Sequence, residues 1–170
     1  MDYAMSYMSP LGEMTLACDD IGLTGVWFHG QKYFGGTQSA SRKSTSHSIL
    51  MQTAQWLDRY FAGEQPENLP PLHCGGTVFR QQVWQLLLDI PYGVVVTYGE
   101  LAQKLAQKQG KRRMSAQAVG GAVGHNPISI LIPCHRVIGA DGSLTGYAGG
   151  IARKAALLRL EGAAGWTMPE

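Results

Sequence analysis

The stretch YGELAQKLAQKQGKRRMSAQAVGGAVG, residues 98–124, decides the fold. Leu101, Ala102, Leu105 and Ala106 repeat at helical spacing, so a helix begins near Tyr98. A short basic turn with Gly110, residues 108–113, interrupts it. A second helix is expected from Ser115 to Gly124, with Ala116, Val119, Gly120 and Val123 on one face. Helix, short turn, helix is the outline of a helix-turn-helix. The second helix carries Gly120, Gly121 and Gly124, although glycine inside a helix costs about 1 kcal/mol relative to alanine. Small residues let a helix backbone approach something closely. That partner is either a neighbouring helix or a narrow nucleic-acid groove, such as the minor groove of B-DNA at about 6 Å. Lys104, Lys108, Lys111, Arg112 and Arg113 stand beside it and suit phosphates.

Upstream, Thr77 is a plausible N-cap for a helix to Leu88, with Phe79, Val83, Trp84 and Leu87 as its apolar face. Ile90-Pro91-Tyr92-Gly93 then reads as a turn. Residues 62–76 contain Pro66, Pro70, Pro71, Gly75 and Gly76 and read as an inter-domain linker. Before it, Leu50, Ala54, Leu57 and Phe61 define a helix over 49–61, flanked by Trp56 and Tyr60. Residues 35–48 are rich in Gly, Ser and Thr and read as a surface loop. Residues 3–7, 14–18 and 23–28 are strand-like runs, the first two joined by the turn Ser9-Pro10-Leu11-Gly12. The expected fold is therefore α/β in the α+β sense. Residues 1–76 form a small antiparallel sheet domain with one helix and the linker. Residues 77–170 form a helical domain bearing the helix-turn-helix.

Charge is divided in the same way. Residues 1–75 hold four Lys/Arg against seven Asp/Glu, and residues 76–170 hold ten against five. A polyanion would meet the second half. The composition is 45% hydrophobic and 15% charged, ordinary for a soluble globular protein. No apolar run reaches the roughly 18 residues of a membrane span. Met1-Asp2-Tyr3-Ala4 lacks the pattern of a signal peptide. These features predict a cytoplasmic protein, or a nuclear one in a eukaryote, with no membrane partner. Three cysteines make a disulfide framework a poor reading, so free thiols are expected. Cys18, His29, His73 and Cys74 have no zinc-ligand spacing and are assigned to packing, so no metal site is expected. His125 is read as a helix-end cap.

Downstream of the second helix, Ile128 to Ile132 reads as a short buried strand ending in Pro133-Cys134-His135-Arg136-Val137. A thiol attacks as thiolate, so Cys134 needs a base; His135 is adjacent and Glu161 is a carboxylate that could orient it. Arg136 is suited to an ion pair.

Ile132-Pro133-Cys134-His135-Arg136-Val137 resembles the active-site signature of the O6-alkylguanine-DNA alkyltransferases. Other blocks are similar: Phe79-Arg80 to Val83-Trp84, Ile90 to Gly93, Thr97-Tyr98, Ala118-Val119-Gly120, Asn126-Pro127, Gly146-Tyr147 and Leu157-Leu158 to Glu161-Gly162. The resemblance is strong over residues 77–165 and looser before them. It implies that Cys134 accepts the alkyl group, activated by His135 through a water and by Glu161. Asn126 would stand at the turn before the active-site strand, and Tyr98 would assist the leaving guanine. Tyr147 and the loop 146–150 would form one wall of the base pocket. The helix 115–124 would enter the minor groove through Gln117, Ala118, Gly120 and Gly121, with Arg112, Arg113 and Arg136 counted among the DNA-binding residues. The implied reaction is irreversible and stoichiometric. It acts on O6-alkylguanine, and by extension O4-methylthymine, in double-stranded DNA, with the base flipped out. No cofactor is implied, and a one-shot reagent is expected to work as a monomer. Gln117 departs from the family, which usually has an arginine there to fill the stack. Two other readings were weighed. One is a non-enzymatic alkyltransferase-like lesion binder, a class that typically lacks the acceptor cysteine. The other is a cysteine hydrolase built on Cys134, His135 and Glu161, against which the helix-turn-helix and the basic half argue.

Overall fold

Pro10 and Leu11 form the tip of a hairpin that Gly12 closes with a φ of 126°, a conformation few other residues adopt. The hairpin joins β1, Tyr3–Ser9, to β2, Gly12–Cys18, in antiparallel register from Tyr3↔Cys18 to Ser9↔Gly12. β3, Leu23–Phe28, pairs antiparallel with β2. A computed structural model of the chain describes residues 2–31, 43–44 and 47–169. Within it, β4, Lys43–Ser44, runs parallel to β1 and gives the sheet order β3-β2-β1-β4. A two-residue strand has no period to read, so the sequence reading placed it in the loop of residues 35–48. The rest of that loop before residue 47 lies outside the described residues.

α1, Ser48–Phe61, buries Ile49, Leu50, Thr53, Trp56, Leu57 and Tyr60. This stripe is rotated from the expected one, leaving Ala54 and Phe61 half-buried. The large rings of Trp56 and Tyr60 set the inward face, and Thr53 can join them because its hydroxyl donates to the Ile49 carbonyl (2.7 Å).

The chain divides into two units, residues 1–75 with 127–131, and residues 76–126 with 132–170. The excursion at 127–131 explains why the strand expected over Ile128–Ile132 does not form. Only Ile128 makes a bridge, parallel to Val26, through Val26 N–H to Pro127 O (2.9 Å) and Ser129 N–H to Val26 O (3.0 Å). The chain then turns at Ile130, with a φ of 73°, and Leu131 N–H bonds back to Ser129 O (2.9 Å). Residues 71–73 meet the same edge of β3, where Leu23 N–H donates to Pro71 O and His73 N–H to Leu23 O, both at 2.7 Å. Both segments satisfy backbone groups that an open strand edge would leave unpaired.

The second unit begins with α2, Val78–Leu88, capped by the Thr77 hydroxyl on Arg80 N–H (3.1 Å). β5, Val96–Thr97, leads into α3, Tyr98–Lys108, which is capped by Thr97 on Glu100 N–H (3.1 Å). α4, Ala116–Gly124, is capped by Ser115 on Ala118 N–H (3.1 Å). A hydroxyl acceptor at each start satisfies a donor that the helix itself cannot. β6, Val137–Ile138, pairs parallel with β5, and α5, Ile151–Leu160, closes the unit. α3 buries Leu101, Ala102, Leu105 and Ala106, the four residues expected. α4 buries Val119, Ala122 and Val123. No described helix is long and apolar enough to cross a membrane.

One buried bond ties α2 to α4: the Trp84 indole N–H donates to Ala122 O (2.9 Å). Trp84→Phe keeps an aromatic ring but removes this donor and part of the buried indole. The substitution is expected to lower unfolding free energy by about 1–2 kcal/mol. Urea denaturation checks this, and an unchanged midpoint would mean that the bond adds nothing to the pairing of these helices.

Candidate active site

Cys134 opens a 3-10 turn, Cys134–Arg136, directly after Pro133. Its N–H bonds to Ile132 O (2.8 Å) and the residue is 6% exposed. Asn126 follows the cap of α4, and its side-chain amide donates to Ile132 O (2.7 Å). Asn126 thus pinches together the two ends of the 127–131 excursion and fixes where Cys134 emerges. The same side chain hydrogen-bonds the thiol. Burial pushes the thiol pKa up, while the Asn126 bond and the Lys154 charge pull it down.

His135 is fully buried, and its Nε2 lies 2.6 Å from Glu161 Oε2. Glu161 caps α5 and is itself buried. It also accepts from Gly93 N–H (3.0 Å), Arg136 Nε (2.8 Å) and an Arg136 terminal nitrogen (3.1 Å). Burial raises its carboxyl pKa, but the bonds and charges of His135 and Arg136 outweigh burial and hold it well below the usual range. An ionised Glu161 accepts the Nε2 proton of His135. That leaves Nδ1, which has no hydrogen-bond partner, as the lone-pair nitrogen of a neutral ring. Burial also lowers the His135 pKa and keeps it neutral at rest. The arrangement is chemically a neutral imidazole whose tautomer is set by a carboxylate, on the residue that follows a buried thiol in the same 3-10 turn.

Arg136 forms the ion pair expected of it, with Glu161. It does not belong with the DNA-binding residues, being 9% exposed and turned inward. Besides Glu161, it donates to Ile90 O (2.7 Å) and lies 5.8 Å from the centre of the Tyr92 ring. Its guanidinium holds the carboxylate and the turn 90–93. The pair is well built because both carboxylate oxygens are used.

Tyr98 begins α3, and its ring centre lies 5.9 Å from the Lys154 ammonium. Gly120 of α4 lies against it: a Cβ there would stand 3.7 Å from the Tyr98 ring. Away from this contact lies the outer face of α4. On that face Gln117, Ala118 and Gly121 are exposed, as are Arg112 and Arg113 before it. A Cβ added at Gly121 or Gly124 would meet nothing within 4 Å. Tight helix packing therefore does not account for these glycines, and the helix presents a shallow open surface. Tyr147 is buried before Gly150, which starts α5 with a φ of 95°. His125 Nδ1 lies 2.8 Å from Gly121 O, closing the helix end as expected.

The sequence reading missed Lys154. It is fully buried on α5, donates from Nζ to Thr145 O (2.8 Å), and lies 5.9 Å from the centre of the Tyr98 ring. The signal was available: Lys154 shares a helix face with Leu157 and Leu158, where a charged residue is out of place. Away from this site, His73 pairs with Asp19 (2.5 Å) and His29 meets Thr15 (2.8 Å). Among the described residues no cluster of three or more metal-ligating side chains occurs.

Two family models match the chain. Residues 78–163 match the DNA-binding domain of 6-O-methylguanine DNA methyltransferase, and residues 3–72 match its ribonuclease-like domain. The chain belongs to this family. A methylated-DNA–protein-cysteine methyltransferase of Mycobacterium bovis is 45% identical over 153 residues, 90% of this chain and 88% of that protein. The enzyme of the same name from Haemophilus influenzae is 40% identical over 161 residues, covering 94% and 86%. A crystal structure of Mycobacterium tuberculosis OGT in complex with DNA superposes with a TM-score of 0.82 at 42% identity, covering 96% of each chain. Membership makes this protein a methyltransferase whose second unit is a DNA-binding domain.

The site makes stability depend on pH. The pKa of His135 is lowered from 6.5 and that of Glu161 from 4.5. In both cases the unfolded chain binds protons that the folded chain refuses, so the contribution is present above the unfolded value and is lost on acidification. Melting temperature is expected to hold steady from pH 7.5 to 7, to fall below about pH 6.5, and to fall more steeply below 4.5. A melting temperature that rises between pH 7 and 5 would contradict this assignment.

Proposed function

We propose that this protein repairs O6-alkylguanine in double-stranded DNA by moving the alkyl group, once and irreversibly, to Cys134. The observation that carries this reading is the buried array of Cys134, His135 and Glu161, with Glu161 locked by Arg136 and Gly93. His135 takes the thiol proton through Nδ1, directly or by way of a water. The imidazolium so formed is stabilised by the Glu161 carboxylate. The thiolate attacks the alkyl carbon, a sulfur–carbon bond forms, and the bond to guanine O6 breaks with its electron pair going to the base. Tyr98 assists the departing guanine with a hydrogen bond. The product is a thioether, which no neighbouring group can cleave, so each chain reacts once.

The alkyl carbon is inaccessible inside a duplex, so the nucleotide turns out of the stack toward Tyr147 and the loop 146–150. α4 enters the minor groove with Ala118, Gly120 and Gly121 against the sugar edges, while Arg112 and Arg113 meet phosphates. The exposed, shallow face of α4 supports this. Gln117 fills the place of the flipped base. The reading extends to O4-methylthymine, whose alkyl carbon is attached to oxygen in the same way, and to action as a monomer without a cofactor.

Intact mass after incubation with excess O6-methylguanine duplex tests the chemistry. One added methyl per chain is expected, mapped to Cys134 and absent in Cys134→Ser. No mass gain with retained preference for lesion duplex over plain duplex would replace this reading with a lesion-binding protein.

Gln117 is uncharged and shorter than arginine, and it stacks less well. Gln117→Arg is expected to tighten duplex binding severalfold at moderate salt and to steepen its salt dependence by about one phosphate contact. Fluorescence anisotropy across a salt series reads both. Unchanged affinity and slope would remove Gln117 from the position of the flipped base.

A further inference from the structure

α1 ends in a reversal that Gly63 makes possible, with a φ of 89° that glycine adopts without strain. Gly63 N–H donates to Tyr60 O (3.0 Å) and Glu64 N–H to Arg59 O (3.1 Å), which uses carbonyls that a helix end leaves free. The chain doubles back, and residues 64–68 line a cavity of about 440 Å³ together with α1. That volume lies in the range of small-molecule sites. Every lining residue belongs to the first unit, and none belongs to the Cys134 site.

The α1 wall consists of Gln52, Gln55, Trp56 and Arg59, which share one helix face. Trp56 is 9% exposed, and its ring is held by stacking on Tyr60, with centroids 5.5 Å apart and planes at 8°. Its indole N–H is buried without a hydrogen-bond partner among the described residues. An unpaired buried donor is costly, and native chains leave few. The Arg59 guanidinium on the same wall also has no partner among the described residues. This wall calls for acceptor oxygens. The facing segment brings the carboxylates of Glu64 and Glu67, which call for a cation. Gln52, Gln55 and Asn68 add amides, each both donor and acceptor, the pattern of a peptide bond.

We propose that this cavity binds a short zwitterionic peptide. Its carboxylate meets Arg59 and the Trp56 indole N–H, its ammonium meets Glu64 and Glu67, and its peptide bonds meet the amides. A single amino acid would leave those amides unused. Binding is non-covalent throughout.

The test is titration of the full chain with triglycine, followed through the assigned Trp56 indole signal in nitrogen–proton NMR spectra. The signal is expected to move and saturate, with a dissociation constant of about 1 mM. Arg59→Gln and N-acetylation of triglycine are each expected to weaken binding about tenfold, because each removes one charge-assisted contact. Glycine is expected to bind about tenfold more weakly than triglycine. An indole signal that stays fixed, or drifts without saturating, up to about 10 mM triglycine overturns the proposal. Equal affinity for glycine overturns the peptide assignment. Equal affinity for acetylated triglycine overturns the zwitterion, and this arm needs no variant, so it decides the question even if Arg59→Gln does not fold.

Discussion

The second unit depends on one buried carboxylate. Glu161 accepts four hydrogen bonds, from the backbone at Gly93, twice from Arg136 and once from His135. An ionised group so deeply buried is tolerable only when its oxygens are fully used. Satisfying it brings together the end of α5, the turn 90–93 and the 3-10 turn that carries Cys134. The same four bonds set the tautomer of His135. Local stability and the tautomer of His135 thus come from one interaction, and a defect in either would appear in both.

Asn126 provides a second constraint of a different kind. The chain leaves the second unit after α4, pairs with β3 through residues 127–129 and turns back at Ile130. Its return would be loose without the bond from Asn126 to Ile132 O. That bond makes the start of the cysteine turn a direct continuation of the end of α4. Cys134 therefore takes its position from the helix that presents the Gln117 face.

Much of this was legible in the residues. Thr77 and Ser115 mark helix starts because a hydroxyl must cap free N–H groups, and α3 shows its buried face by spacing alone. Cys134, His135 and Glu161 were picked out through resemblance, and the structure brings the His135 and Glu161 side chains together. What was not legible depends on distant partners. The strands β4, β5 and β6 are two residues each and carry no alternation. The 127–131 segment is as apolar as a strand, but its single bridge and the left-handed Ile130 are set by β3. Arg136 is basic beside a basic half, and only the position of Glu161, 25 residues on, turns it inward. Lys154 was visible as a misfit on an apolar face, but its partners, Thr145 O and the Tyr98 ring, come from outside its own helix.

The outer face of α4 has a thermodynamic consequence. Association usually freezes side chains, and the rotamer freedom lost by long residues opposes binding, whereas Gly and Ala have none to lose. Ala116, Ala118 and Gly121 are exposed on that face, and Gln117 stands among them. A partner that docks on α4 orders almost nothing but Gln117. The side-chain ordering penalty on this face is therefore concentrated in one residue.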